Sequence, residues 1–306
     1  MKIFTLSIAA LAAALTSGTT LAAPVLLESQ SVRVNITDGG VFNSLRFDPT
    51  GTGNFPADKD YVSPGIPFEG FGIRLTDSTG SARSYSNSNS GGLSLSGTTS
   101  VASGSFDFGA TWSTTTNLFS LTHLFYFNEG DQRVNIQTTF TANANLDNVR
   151  ISRAVDPDPD NYSGGSAATN NQRGIADQGV SLEDFVGSLG AISGYPLGLF
   201  YSGPIAHNTG IVGACCSVTD PDVYLAGGNQ GNSSSGDHGI GLAFNLGDLL
   251  SGDTVVWNYA YVMGGSLDTI DIPVEPGPGW FGCCSPPQAL ISASIARTTR
   301  LWPGCA

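Results

Sequence analysis

Charge is scarce in this chain. Only 12% of its 306 residues are Asp, Glu, Lys or Arg, and 12 basic residues stand against 25 acids. The formal net charge is −13. A nucleic-acid or anionic membrane surface needs a positive patch, so neither is expected as a partner. Long hydrophobic runs are missing as well. Outside residues 3–15 no stretch approaches the ~20 apolar residues of a membrane span, so no transmembrane segment is expected in the mature chain. Histidine occurs three times, as His123, His207 and His238. No two of them have the short spacing of a local metal motif. There is no G-x-S-x-G nucleophile elbow, and the glycine-rich segments lack the strand–loop–helix setting of a phosphate site.

The five cysteines, Cys215, Cys216, Cys283, Cys284 and Cys305, lack the spacing of a zinc ribbon or a CxxC redox pair. Bonding between adjacent cysteines is not expected, because its geometry is strained. A bridge from the 215/216 pair to the 283/284 pair and a set of unpaired thiols both stay open.

What the sequence does contain is glycine, 40 residues of it, with 40% hydrophobic residues and 16 Phe. Turns that take Gly and Asn, strand faces that take Ser and Thr, and enough apolar mass for a core describe a secreted β protein. Residues 1–22 read as a signal peptide: Lys2, an apolar run from Ile3 to Leu15, then small residues ending in Thr20-Leu21-Ala22. The destination is the medium or the outer cell surface. Residues 23–272 read as one β-sandwich domain, and residues 273–306 as a tail rich in Pro and Cys.

Alternation marks the strands. Val32, Val34 and Ile36 alternate with Arg33, Asn35 and Thr37 over residues 31–37. Further strands are expected at 41–47, 68–75, 93–96, 105–112, 118–127, 132–141, 197–201, 223–226, 240–244 and 254–263. Gly70 and Gly72 interrupt the 68–75 strand and suggest a bulge or a close backbone approach. The 118–127 strand carries His123 on its Phe face and reads as covered on both sides. Residues 77–92 and 227–239 read as exposed loops, and 182–189 as a short helix. The expected fold is all-β, an antiparallel β-sandwich, at its largest a super-sandwich, with at most one or two short helices.

The organising stretch is residues 149–174. A strand runs into Asp156-Pro157-Asp158-Pro159-Asp160-Asn161. Each proline pushes the preceding aspartate towards extended backbone, so three carboxylates are expected on one edge, roughly 6–7 Å apart. They repel unless a cation sits among them. Calcium takes such oxygens, with Asp156, Asp158 and Asp160 as ligands and Asn161 and Asn170 adding to the set. The alternative is pairing with Arg153 and Arg173, placed before the loop and at the T-N-N-Q-R-G turn. Glu69, and Glu129 with Asp131, could supply the two carboxylates of a glycosidase.

Residues 60–71 (D-Y-V-S-P-G-I-P-F-E-G-F), 153–160 (R-A-V-D-P-D-P-D) and 169–174 (T-N-N-Q-R-G) resemble exported β-sandwich surface proteins of Gram-negative bacteria. Residues 240–257 are similar to the strand–turn–strand close of such sandwiches. Val274-Glu275-Pro276 is similar to the start of a PEP-CTERM sorting tail, although no long apolar helix or dense arginine cluster follows. The resemblance implies a surface or matrix destination and no particular chemistry. The reading is a non-enzymatic surface or extracellular-matrix protein whose partners are extracellular polysaccharide or other surface proteins. The alternative is a glycan-binding or glycan-active protein on a mutarotase-like sandwich, with Tyr61, Phe68, Glu69, Phe71 and Trp257 as the ligand-binding candidates.

Overall fold

A computed structural model describes residues 24–55, 60–161 and 165–273. The expected signal peptide and all of the tail except Pro273 lie outside the described residues. The chain runs through β1 (Val25–Glu28), β2 (Val32–Ile36), β3 (Phe42–Phe47), β4 (Glu69–Asp77), β5 (Ala82–Ser88) and β6 (Gly92–Leu93). Next come β7 (Thr98–Val101), β8 (Phe108–Thr115), β9 (Phe119–Phe127), β10 (Arg133–Ala142), β11 (Leu146–Val155) and β12 (Thr169–Arg173). The remaining elements are β13 (Phe185–Gly190), β14 (Pro196–Phe200), β15 (Ala206–Val212), α1 (Pro221–Leu225), β16 (Ser233–Gly236), β17 (Gly239–Leu249) and β18 (Thr254–Met263).

These strands form three antiparallel sheets. One has the order β1-β2-β3, one β16-β12-β13-β14-β18-β10-β9-β8-β7, and one β15-β17-β11-β4-β5-β6. The two large sheets meet through their side chains. Phe71 of β4 packs edge-on to Trp112 of β8 and His123 of β9, and Phe244 of β17 packs on Trp257 of β18. The small sheet contributes to the same core, with Phe42 of β3 against Phe125 and Tyr261. The all-β antiparallel sandwich is therefore present, and its α-helix among the described residues is one five-residue turn.

The period-2 pattern is what fixes the core. In β9 Phe119, Leu121, His123, Phe125 and Phe127 are buried, while Leu124 and Tyr126 opposite them are half-buried. That strand is thus fully covered on one side only. His123 sits in the core as expected, with Nδ1 2.9 Å from Thr138 Oγ1 and its ring stacked on Trp112. Burial and the nearby Arg153 charge hold it well below the usual histidine range.

Four local expectations are corrected. Residues 182–189 do not form a helix: Phe185–Gly190 is strand β13, because Phe, Val and two glycines suit a pleat between β12 and β14 better than a helix interior. Residues 223–225 belong to helix α1 and Ala226 is its C-cap. Asp220 caps it by accepting the Asp222 N–H at 3.1 Å, and Pro221 opens the first turn. The polar 77–92 segment contains strand β5, paired to β4 and exposed only over its first three residues. The T-N-N-Q-R run is strand β12 rather than a turn, held between β13 and β16.

Gly72 records a close backbone approach. Its missing side chain leaves room for the Thr219 carbonyl, which a Cβ there would strike. The 213–220 segment therefore lies directly on β4, and Ser152 Oγ also donates to Thr219 O. Helix α1 follows, closing a small apolar cluster of Phe68, Ala154, Val212, Tyr224 and Ala243.

Candidate metal centre

One end of the six-stranded sheet gathers several loops. Val155, the last residue of β11, pairs with Ile240 near the start of β17. Val212, the last of β15, pairs with Gly239. Val155 also pairs with Glu69, the first of β4. Antiparallel register thus brings together Asp156 after β11, Cys215 and Cys216 after β15, Asp237 before β17 and the 60–68 loop before β4.

The two segments singled out in the sequence do meet here. The Asp156 N–H donates to Phe68 O and the Asp158 N–H to Tyr61 O, both at 2.9 Å. Gly65, at φ 68°, lies where a Cβ would strike Asn161 Nδ2 and Asp158 Oδ2. Asn161 Nδ2 donates to Asp158 Oδ2 at 3.0 Å. Pro157 and Pro159 are buried with their neighbours, so the segment is held as a wall rather than a solvated loop.

The carboxylates sort differently from the sequence reading. Asp160 turns away: its oxygens accept the backbone N–H groups of Ile192 and Ser193, at 2.7 and 3.1 Å to Oδ2. Its place is taken by Asp237, delivered by β16 through that strand's pairing with β12. Carboxylate oxygens of Asp156, Asp158 and Asp237 lie within 4.8 Å of one another. Asp156 and Asp158 are each 3% exposed, and Asp237 faces solvent. Asn170 is engaged at the strand edge, accepting from Ser235 Oγ at 2.8 Å.

Neither supporting arginine turns back to this loop. Arg153 shares the inward face of β11 with Val149, Ile151 and Val155, so it enters the core and pairs with Glu69. Arg173 donates to Thr209 Oγ1 at 3.0 Å, Asn232 Oδ1 at 3.1 Å and Asn208 Oδ1. Among the described residues no cationic side chain forms an ion pair with Asp156, Asp158 or Asp237. Asp156 Oδ1 and Asp158 Oδ1 are buried and accept no hydrogen bond. Burial first, then the charges of Asp158 and Asp237, push the Asp156 carboxyl up to about 8. Burial, with Asp237 adding to it against the Asn161 hydrogen bond, pushes Asp158 up to about 6.

Cys215 and Cys216 are bonded to each other, against expectation. They occupy a turn whose two sides are pinned. The Gly213 N–H donates to Asn229 Oδ1 at 2.9 Å, and Tyr224 Oη donates to Val218 O at 2.7 Å. Both side chains are thereby held towards Asp156, and Cys216 Sγ lies 3.4 Å from Asp156 Oδ2.

The remaining candidates are placed elsewhere. Tyr61, Phe68, Phe71 and Trp257 are 0–4% exposed, so they form core and not an aromatic row facing solvent. Glu69 is fully buried: it accepts the Phe42 N–H at 2.5 Å and the Tyr261 hydroxyl at 2.8 Å, besides pairing with Arg153. Glu129 accepts the Gln30 N–H at 2.8 Å and Asp131 pairs with Arg133, so neither is poised with Glu69 as a glycosidase pair. A cleft of about 630 Å³ runs along residues 130–133 and 269–273, where Arg133 is already paired to Asp131 and Asp271. The site residue that sequence reasoning missed is Asp237. Its signal was available: it stands at the mouth of a glycine-serine loop immediately before an apolar strand.

No protein-family profile matches the chain, and no curated protein matches it. Solved structures do. An alpha-mannosidase from Enterococcus faecalis aligns over 82% of this chain and 30% of its own, at 9% identity and a TM-score of 0.42. The chain thus spans about a third of that protein. A putative aldose 1-epimerase from Escherichia coli aligns over 78% of this chain and 98% of its own, at 12% identity and a TM-score of 0.38. A galactose mutarotase-like protein from Lactobacillus casei gives 78% and 99%, with 10% identity and a TM-score of 0.37.

Proposed function

We propose that this chain is an exported calcium-binding β-sandwich protein with a non-enzymatic role at the cell surface or in the extracellular matrix. One observation carries the reading. Asp156, Asp158 and Asp237 converge within 4.8 Å, with two buried carboxylate oxygens unpaired and no cationic side chain among them. Buried unpaired carboxylates are costly, and a hard cation removes the cost by supplying the missing charge. Calcium suits the donors, which are oxygens only. Asp156 Oδ1, Asp158 Oδ1 and the Asp237 carboxylate would hold it, and the exposure of Asp237 leaves its remaining positions open to water. Such an ion would tie together the ends of β11 and β17 and, through Asp158, the 60–68 loop. Export itself rests on residues 1–22.

The test is direct calcium titration of metal-free protein, with magnesium as comparison, followed by thermal unfolding. Calcium at about 100 times its dissociation constant should stabilise the fold by about 2.7 kcal/mol. Asp237→Asn, an exposed change, should abolish most of the response. A melting temperature indifferent to calcium and chelator, in protein shown to be metal-free, overturns the reading.

The glycan alternative is favoured by a different place from the one expected. A cleft of about 140 Å³ is lined by Tyr126, Phe200, Tyr201, Tyr259, Asn135 and Asn258. Phe200, Tyr201 and Tyr259 form its buried floor and Tyr126 is its half-buried aromatic, so one ring beside amide groups is offered to a neutral sugar. Titration of neutral oligosaccharides against wild type and Tyr126→Ala, followed by tyrosine fluorescence, tests it. No saturable change in the wild type removes it.

A further inference from the structure

We propose that Cys215 and Cys216, once reduced, form with Asp156 a thiolate site for a borderline-soft divalent cation such as zinc. Both sulfurs and an Asp156 carboxylate oxygen lie within 4.8 Å of one another. Asp156 is 97% buried, its Oδ1 accepts no hydrogen bond, and its Oδ2 is 3.4 Å from Cys216 Sγ. A disulfide sulfur carries no proton, so that contact satisfies nothing on the carboxylate. The same Asp156 belongs to the cluster with Asp158 and Asp237. Two ligand sets of different chemistry therefore share one buried carboxylate.

The turn is built to survive opening of the disulfide. The bond joins neighbours in sequence, so it closes no long loop and contributes little chain-entropy stabilisation. What holds the segment is elsewhere: Gly213 on Asn229, Val218 O on Tyr224, and Thr219 O on Ser152. The two cysteines are half-buried, within reach of a small reductant.

The chemistry balances with a dithiol as reductant. Its two thiols become a cyclic disulfide and pass two electrons and two protons to the Cys215–Cys216 bond, which breaks into two thiols. Zinc then displaces both thiol protons to solvent and binds two thiolates at about 2.3 Å with the Asp156 carboxylate. Asp237 or water completes four-coordination. Calcium, which prefers oxygen, gains nothing from the sulfurs. The thiolate site of the reduced protein stands whether or not the oxidised protein takes calcium.

Cobalt(II) is the probe, because thiolate ligation gives a charge-transfer absorption that oxygen ligation does not. The full chain is reduced with dithiothreitol, desalted under nitrogen and titrated, beside the Cys215→Ser/Cys216→Ser double variant. Both carry the same three tail cysteines, so the difference spectrum belongs to the turn. The expected result is one cobalt per chain in that difference, displaced by zinc, absent from the oxidised protein, and weakened at least about tenfold by Asp156→Asn, since even residues outside a metal's ligand set are worth that much. A reduced wild type whose spectrum matches the double variant overturns the proposal. So does reduced protein that has lost its β-sheet circular dichroism, or a signal unchanged by Asp156→Asn. Calcium titration of the oxidised chain is a separate arm, so failure of either site is seen without the other.

Discussion

The Arg153 guanidinium and the Glu69 carboxylate form an ion pair in the middle of the sandwich, both side chains fully buried. Arg153 Nη1 donates to Gly40 O at 3.0 Å, and its guanidinium carbon lies 5.0 Å from the centre of the Phe42 ring and 5.5 Å from that of Phe125. The aromatic faces add to the Glu69 charge in compensating the buried guanidinium. Burial pushes the Glu69 carboxyl up, while Arg153, the Phe42 N–H and the Tyr261 hydroxyl pull the other way.

Breaking one partner of that pair leaves an uncompensated charge in the core. Arg153→Met should destabilise the protein by about 3–5 kcal/mol. Adding Glu69→Gln should restore much of the loss, because the orphaned carboxylate is gone. Denaturant unfolding of the two variants checks this; a double variant as unstable as the single one would show that packing, not charge, sets the cost.

The metal centre gives a pH signature. Asp156 and Asp158 have folded values of about 8 and about 6, both above the roughly 3.9 of an unfolded aspartate. A raised carboxyl binds its proton more tightly in the folded state, so its contribution to stability is complete below that unfolded value. The contribution is lost as pH rises through 6 and then 8. Metal-free protein should therefore weaken from pH 4 to pH 8 relative to Asp156→Asn. Protons and calcium compete for the same oxygens, so calcium affinity should climb across the same interval and level off above it. Affinity that stays flat from pH 5.5 to pH 8.5 would count against both assignments.

Asp48 behaves in the opposite sense. Burial raises its carboxyl, but hydrogen bonds from Thr50, Thr52 and Asn54 together outweigh it and hold it well below the usual range. Its stabilisation is present above about pH 3.9 and is lost as pH falls through the lower folded value. Asp48→Ala should cost about 1–3 kcal/mol at neutral pH. The gap to wild type should narrow below pH 4, which acid-unfolding curves of the two proteins will show.

Gly72 controls the fit of the 213–220 segment. A methyl group there meets the Thr219 carbonyl, so Gly72→Ala should destabilise by about 1–3 kcal/mol through forced displacement. Because the displaced segment carries the disulfide, Cys215–Cys216 should also be reduced faster by a dithiol. Reduction kinetics followed by thiol labelling measure this, and an unchanged rate would mean that the segment is not held by β4.

The strands were legible because alternation is a local signal. The patterns in residues 31–37, 118–127 and 254–263 each survive as β2, β9 and β18 with shifts of a residue or two at their ends. The Phe face around His123 was legible for the same reason. The misread segments were those where local signals conflict, as at Leu182-Glu183-Asp184 before β13 or Asp220-Pro221 at the start of α1, where partner strands or a cap decide.

By itself the sequence determined that the chain is a β protein with an acidic, proline-stiffened segment after a strand. Only the tertiary structure decided that Arg153 meets Glu69, that Asp237 and not Asp160 joins Asp156 and Asp158, and that Cys215 bonds Cys216 beside them. The reason lies in register. Side-chain alternation is written residue by residue, whereas the strand ends that become neighbours depend on pairings between β11 and β17 and between β15 and β17, more than 25 residues apart in sequence.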